Sequence, residues 1–535
     1  MIEKLVIENF LQFESLAFDL DPELNILVGN NDAGKSTVIQ ALEMVLAGRI
    51  GGRSLEPELS PFWFTQSAVE NYLSGIIAGN QVEPPTIVIE VYFRDDAALA
   101  RLKGKNNSLA RDVPGIRLEV SLDRAYSAEY AAYISEPTAV KSVPIEFYRV
   151  DRRDFAGESV VGTRALVTAV VIDASTLRLQ SGTDYYLRKS ISQNLTPEAR
   201  AKLSLAFRSH REGLLSDPAF VAANAQLGSE RTTLSKKSLA LSTDSSARAS
   251  WESGIIPHLD GIPFSQIGQG EQSAFKILLA LEKSASDRNV VMIEEPENHL
   301  SHSNLNTLIG LIRERSVGQQ LVLTTHSSFV LNKLGVEKLR LISNGTVGVL
   351  NGLEADTQSY FLRLSGYDTL RMVLARAVIL VEGPSDELVV QKAYVQKYGC
   401  MPLEDGVDVM SVQALAFKRF LALGQALGCK IAVVTDLDDD ASDAKARKRF
   451  EAFERDGVVR GFVGQAPNGR TLEPQLVAAA GRDLLNAVFK TDFDTDDLLQ
   501  NYMTAEKTEA ALAVFSYADT IPMPNYIDEA IAFVK

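Results

Sequence analysis

Two groups of residues in this chain have types and spacing that suit chemistry on phosphates. Gly29-Asn30-Asn31-Asp32-Ala33-Gly34-Lys35-Ser36 lies between an apolar strand pattern, Leu24–Val28, and a helical run, Val38–Leu46. Backbone N–H groups from Asn30 to Thr37 can cradle phosphates at the helix N-terminus, with Lys35 on the outer phosphates and Ser36 on Mg²⁺. Val290–Glu295 is an apolar strand ending in two acids. Glu294 there is placed to orient Mg²⁺ and Glu295 to polarise an attacking water. Ile267–Gln272 precedes a helical run, Ser273–Leu281. Its Gly268 and Gly270 allow close backbone approach to a phosphate beside Gln272. His326 follows Leu321–Thr325, where an imidazole can sense a γ-phosphate. Each feature alone has an ordinary structural explanation; their order along one chain points to ATP binding and hydrolysis.

The second group is acidic. Ala377–Val381 reads as a buried strand ending in Glu382, followed by a turn and a helix carrying Asp386 and Glu387. Ile431–Thr435 is another apolar strand, running into Asp436, Asp438, Asp439 and Asp440. In a parallel sheet both strands deliver acids to one carboxyl edge, where open α/β sheets place their sites. Asp436 and Asp438 alternate, so an extended continuation puts them on one face. Such crowded carboxylates repel one another unless divalent cations bind. The spacing therefore predicts a metal site suited to cutting a phosphodiester.

Positioning two such sites needs more than one core, and 535 residues suggest two to four domains. Hydrophobic content of 46% with 23% charged residues is ordinary for globular protein. No apolar run reaches the length of a membrane span, and the first ten residues read as a strand rather than a signal peptide. Cys400 and Cys429 are too few for a disulfide framework or zinc cluster, so a reducing cytoplasm is expected. The net charge of −15 argues against non-specific nucleic-acid binding by the whole surface. The segment from Arg371 onward is acidic too, leaving local patches such as Lys445, Arg447, Lys448 and Arg449 for phosphate contacts.

Further strands are expected at Thr86–Phe93, Ile116–Leu122, Leu166–Ile172 and Gln320–Thr324, and a helical stretch over Thr196–Leu227. Ser235–Ser250 reads as a loop, and Asn344-Gly345 between apolar runs as a hairpin turn. A new α/β unit starts at Ala377–Val381 and continues through Lys430–Val434, with the boundary near 355–372.

The P-loop, the Gly268–Gln272 segment, Glu294-Glu295 and His326 together resemble an ABC-type ATPase of the chromosome-maintenance and RecF kind. That resemblance implies an ATP-sandwich dimer in which Gly268–Gln272 packs on ATP held by a second subunit. The signature departs from the usual form by lacking Ser-Gly-Gly. A Mg²⁺-contacting glutamine is also implied, with Gln66 and Gln81 both open. The modest helical stretch excludes a long coiled-coil arm.

The segments around Glu382 and Asp436 resemble a TOPRIM domain. The succession of ATPase and TOPRIM is similar to the OLD (overcoming lysogenization defect) family of ATP-dependent endonucleases, which includes the nuclease subunit of Gabija-type phage defence. The resemblance implies metal ligation by Glu382, Asp386, Asp436 and Asp438, with Glu387, Asp439 and Asp440 as neighbours. It also implies Glu473 as a further ligand and Lys507 as a cation stabilising phosphorane charge. Asp386 stands where a glutamate is more usual, so its reach is shorter.

The expected architecture is α/β. An ABC-type ATPase occupies 1–185 and 251–360, a helical insertion for dimerisation 186–250, and a TOPRIM (Rossmann-like) nuclease domain 372–535. The expected activity is ATP-binding, Mg²⁺- or Mn²⁺-dependent cleavage of double-stranded DNA by a homodimer or larger homo-oligomer, in anti-phage defence, with a possible partner protein. An RNA- or tRNA-directed nuclease and a DNA sensor with a non-catalytic TOPRIM fold remain the alternatives.

Overall fold

The computed structural model describes residues 1–137, 140–160, 167–173, 191, 195–229, 240–243, 251, 256–281, 289–315, 318–343, 345–350, 353–363, 369–412, 417–437, 448 and 450–535. Contacts divide the chain into two units, Met1–Asn25 with Gly34–Thr325, and Ile26–Ala33 with His326–Lys535. Asp438, Asp439, Asp440, Lys445, Arg447, Arg449 and most of the Ser235–Ser250 stretch fall outside the described residues.

In the first unit, β1 (Ile2–Phe10) and β2 (Phe13–Asp19) form a hairpin. Leu11 and Gln12 make its turn, with φ of 51° at Leu11. The next strand, β3 (Leu24–Val28), leads through the Gly-rich loop into α1 (Lys35–Ala47). Strands β4 (Ile87–Phe93), β5 (Val113–Leu122) and β6 (Tyr148–Asp154) continue the antiparallel sheet from β1. Glu90 on β4 lies opposite Arg117 on β5, fully buried, and accepts from Arg117 at 2.5 Å and from Tyr92 at 2.6 Å. A buried carboxylate is tolerated there because every charge-assisted bond is made.

Strand β7 (Thr168–Asp173) belongs to a separate parallel ladder, described below. The helical stretch after it is two helices, α2 (Pro197–Leu215) and α3 (Pro218–Ser229). The stretch is helical as expected and divides because Pro218 has no N–H to donate, while Asp217 caps the second helix through the Ala219 N–H at 2.8 Å. No residue of α2 is buried. Farther along come α4 (Gln269–Leu281), β8 (Asn289–Glu294) and β9 (Gln320–Thr324). Strands β7, β8 and β9 are parallel, with Asp173, Glu294 and Thr324 in register at the carboxyl edge.

The second unit takes in Ile26–Val28 of β3, then α5 (Ser328–Leu334) and β10 (Leu339–Ser343), which pairs parallel with β3 and antiparallel with β11 (Thr346–Val349). These two strands pair as a hairpin needs, and Gly345 between them holds φ at 71°, while Asn344 lies outside the described residues. A short helix, α6 (Thr369–Leu374), precedes a four-stranded parallel sheet. Its strands are β12 (Ala377–Val381), β13 (Val407–Ser411), β14 (Lys430–Thr435) and β15 (Val459–Val463), in the order β13-β12-β14-β15.

Every residue of β12 is buried, as expected of a strand covered on both faces. The covering elements include α7 (Pro384–Tyr398), α8 (Phe417–Leu427), α9 (Leu472–Ala480), α10 (Lys507–Ser516) and α11 (Asn525–Val534). Ile527, Ala530, Ile531 and Val534 of α11 recur at helical spacing and join the core formed by Ile379, Val381, Ala432 and Val434. Each large aliphatic side chain buried in this way contributes about 1.5–3 kcal/mol.

Candidate functional site

The P-loop delivers its residues to the start of α1. Asn30, Asn31 and Asp32 are exposed, Ala33 is half-buried and Lys35 is buried. Gly34 holds φ at 101° as the N-cap of α1, and no side chain caps that helix. Its amides and dipole therefore face the loop as an anion would need. Ser36 Oγ donates to Glu294 Oε2 at 2.8 Å, so the hydroxyl and the carboxylate expected to share Mg²⁺ already touch. Glu295 adopts φ 47°, rare for a residue with a side chain. Its N–H donates to Thr324 O at 3.1 Å, and its carboxylate accepts from Asn298 at 2.6 Å. His326 is exposed directly after β9.

Gly270 sits in the first turn of α4, where a Cβ would come within 2.2 Å of His299 O, whereas Gly268 has open space around it. Gln272 is buried, its amide turned onto Ile267 O at 2.7 Å. Of the two glutamines the family resemblance leaves open, Gln66 bonds Glu70 at 2.7 Å and Gln81 is exposed. Gln12 lies against the start of α1. Its Oε1 accepts from Thr37 Oγ1 at 2.7 Å, and its amide, with the Phe13 ring, fills the space a Cβ at Gly34 would enter. No local signal marks Gln12, because only the β1–β2 hairpin brings it to α1.

The acidic group assembles at the carboxyl edge of the β13-β12-β14-β15 sheet. Glu382 and Asp436 follow β12 and β14 directly, and these strands are parallel neighbours. Asp386 occupies the first turn of α7 and Glu473 the first turn of α9. Each carboxylate is oriented by a neighbour. Glu382 Oε1 accepts from Thr435 Oγ1 and from the Asp436 N–H. Asp386 accepts from the Gly383 N–H at 3.0 Å, and Asp436 from the Leu472 N–H at 3.1 Å. Glu473 pairs with Lys507 at 3.3 Å, while its Oε2 is buried without a hydrogen-bond partner.

Electrostatics show the strain of that assembly. Burial, then the charges of Asp386, Glu382 and Glu473, push the Asp436 carboxyl up to about 8. Burial and the charge of Glu382 push Asp386 up to about 6. Burial works against the charged Lys507, yet Glu473, Asp436 and Asp386 raise it above its ordinary value. Among the described residues the carboxylates do not converge on a single ion-sized point, since each is turned to a protein donor. An orphaned buried oxygen and two carboxyls raised by burial and by their acidic neighbours nonetheless fit a divalent cation, whose charge offsets that repulsion.

Glu387 faces away from this group, pairing with Arg371 at 3.6 Å and accepting from Gln391. Arg371 also grips Asp408 of β13 through two nitrogens, at 2.9 and 2.5 Å. Thr435 was not marked by spacing, although a threonine ending the strand just before Asp436 is well placed to hold Glu382.

Comparison with known proteins follows the same division. Residues 373–438 match the domain family described as Overcoming lysogenization defect protein-like, TOPRIM domain. Residues 184–332 match the AAA domain family described as putative AbiEii toxin, Type IV TA system, and residues 4–124 match an AAA domain family. No curated protein matches the sequence. Among solved structures, the C-terminal region of the Burkholderia pseudomallei OLD protein is 22% identical, with 30% of this chain and 97% of that one covered and a TM-score of 0.25. The corresponding region from Xanthomonas campestris pv. campestris is 19% identical over 31% and 94%, at 0.24. The SMC head domain from Thermotoga maritima is 14% identical over 66% and 99%, at 0.28. The chain thus joins AAA-type ATPase segments to a TOPRIM domain of the Overcoming lysogenization defect protein-like family.

Proposed function

We propose that the protein is an ATP-binding, divalent-metal-dependent endonuclease that cuts double-stranded DNA in anti-phage defence. The observation that carries this reading is the group of half-buried Glu382, Asp386 and Asp436 and buried Glu473 at one sheet edge, with Lys507 beside it. Glu382, Asp386, Asp436 and Glu473 would hold Mg²⁺ or Mn²⁺, joined by Asp438. When bound, such ions activate water and stabilise the leaving 3′-oxygen.

The chain's own residues do the rest. Thr435 and the Asp436 N–H hold Glu382 in place. Lys507 keeps a positive charge where negative charge gathers on the scissile phosphate. At the other site Lys35, Ser36 and Glu294 hold the phosphates and Mg²⁺ of ATP, with Glu295 polarising water and His326 sensing the γ-phosphate. Gly268, Gly270 and Gln272 close on ATP of a second subunit. Helix α2 supports a homodimer: Leu205 is 67% exposed on a helix with no buried residue. No described helix is long and apolar enough to cross a membrane.

A plasmid-nicking assay with Mn²⁺, with and without ATP, tests the reading. Wild type should cleave, while Glu382→Ala and Asp436→Ala should lose cleavage and still bind ATP. Cleavage that persists in both variants removes this assignment, and cleavage confined to RNA substrates replaces DNA as the target.

A further inference from the structure

Helix α8 shows two faces at helical spacing. Phe417, Phe420, Leu421 and Gly424 are buried on one, with Gly424 so close to β14 that a Cβ would lie 2.2 Å from Ile431. The opposite stripe is Lys418, Arg419, Ala422, Gln425 and Ala426. It lines a cavity of about 600 Å³ whose lining belongs entirely to the second unit. The start of the helix Ala355–Arg363, with Phe453 and Arg455, completes the walls. Two hydrogen bonds fix those walls to α8: Arg419 Nη1 donates to Thr357 Oγ1 at 2.8 Å, and Gln425 Nε2 to Phe453 O at 3.1 Å.

The charge of this cavity departs from that of the chain. The protein carries −15 overall, yet Lys418, Arg419 and Arg455 line the space against one acid, Glu354, among the described residues. Arg419 is held by Thr357 and lies 4.0 Å from Asp356, whereas Lys418 and Arg455 form no ion pair with any described residue. Phe453 is half-buried and stacks on no described aromatic ring. The cations stand at opposite ends. Helix α8 returns the chain from β13 to β14, two strands of one parallel sheet, so its first turn lies toward the carboxyl edge that carries Glu382 and Asp436. Arg455 precedes β15 and lies toward the strand starts. From Lys418 to Ala426 the helix rises about 12 Å, and the small Ala422 and Ala426 leave that length open.

We propose that this groove holds a single strand of nucleic acid running from the metal site toward the strand starts, its phosphates on Lys418, Arg419 and Arg455 and a base against Phe453. A cationic groove with an aromatic side chain suits a single strand, because the backbone supplies charge at short intervals and every base has a face to stack. A duplex is too broad for the cavity, and its bases are already stacked on one another. The proposal builds on the nuclease reading and narrows its substrate to duplex DNA that carries a single-stranded flap, gap or end.

The test uses the full chain in EDTA, where no cut occurs, and a fluorescent oligothymidylate read by anisotropy. Lys418→Glu with Arg455→Glu should weaken binding by about ten-fold or more and lower the slope of log affinity against log salt by about one to two. Phe453→Leu should weaken it about ten-fold while melting near the wild type. In Mn²⁺ the wild type should cut a flapped duplex faster than a blunt one, and the double variant should cut both at the blunt rate. Equal strand affinity in wild type and double variant overturns the proposal alone, and the nuclease reading survives if Mn²⁺-dependent cleavage persists. Displacement of the strand by thymidine monophosphate at matched nucleotide content makes the ligand a free nucleotide and overturns it too. Should the variants misfold, cross-linking a bromouracil-bearing strand to the wild type decides: label on the peptide with Phe453 supports the groove, and label only elsewhere overturns it. Strand binding that needs the groove, in a protein that cuts no substrate, overturns the nuclease reading and leaves the groove standing.

Discussion

At the scale of single residues, Asp436 and Asp386 dominate. Their folded carboxyls titrate at about 8 and about 6, against about 3.9 in an unfolded chain. Between those values the folded protein keeps protons that the unfolded chain has released. Stability of the metal-free protein must therefore fall as pH rises from about 4 to about 8. Asp436→Asn removes that penalty and should stabilise the metal-free protein at pH 8 by on the order of a few kcal/mol, with little effect near pH 4. Melting curves in EDTA across this range check the sign; a wild type that grows more stable toward pH 8 contradicts it. Protons compete with cations for the same oxygens, so Mn²⁺ should bind more weakly at pH 6 than at pH 8 and release protons on binding. Calorimetry in buffers of different ionisation enthalpy measures that release.

At the scale of elements, two junctions are exposed to mutation. Gly34→Ala forces a side chain into φ 101° and against Phe13 and Gln12, at 2.2 and 2.5 Å. ATP binding should be lost, read by fluorescent-nucleotide titration, because the β1–β2 hairpin would be pushed off α1. Arg117→Ala strands the fully buried Glu90 without its cation and should cost about 3–5 kcal/mol in urea unfolding. Pairing it with Glu90→Gln should restore part of that loss. Most elements were legible in advance: β12, β14 and α1 announce themselves by apolar period and flanking glycines. The Thr196–Leu227 stretch is helical as its pattern reads, but its division is not legible in the period, which continues across Pro218; the missing N–H and the Asp217 cap divide it.

At the scale of the whole molecule, α2 is the conspicuous surface. It has 19 residues and none buried, with Leu205, Leu214 and Leu215 all exposed. A helix so little covered by the described residues is marginal in water, and the proposed second subunit supplies what it lacks. Leu205→Glu with Leu214→Glu should convert the dimer to monomer in light scattering and lower ATP turnover, leaving the circular dichroism of the rest unchanged. A wild type that is already monomeric with ATP bound removes this role for α2.

The sequence by itself determined the chemistry on offer. A loop spaced for phosphates and two apolar strands ending in Glu382 and Asp436 are local patterns, written in the periods of helix and strand. Tertiary structure decided which residues share a site. Gln12 reaches the P-loop through a hairpin, Glu473 and Lys507 meet from two helices, and Glu387 turns to Arg371 instead of the acids. Such contacts join positions far apart in the chain, and packing against a common core, rather than any local propensity, brings them together.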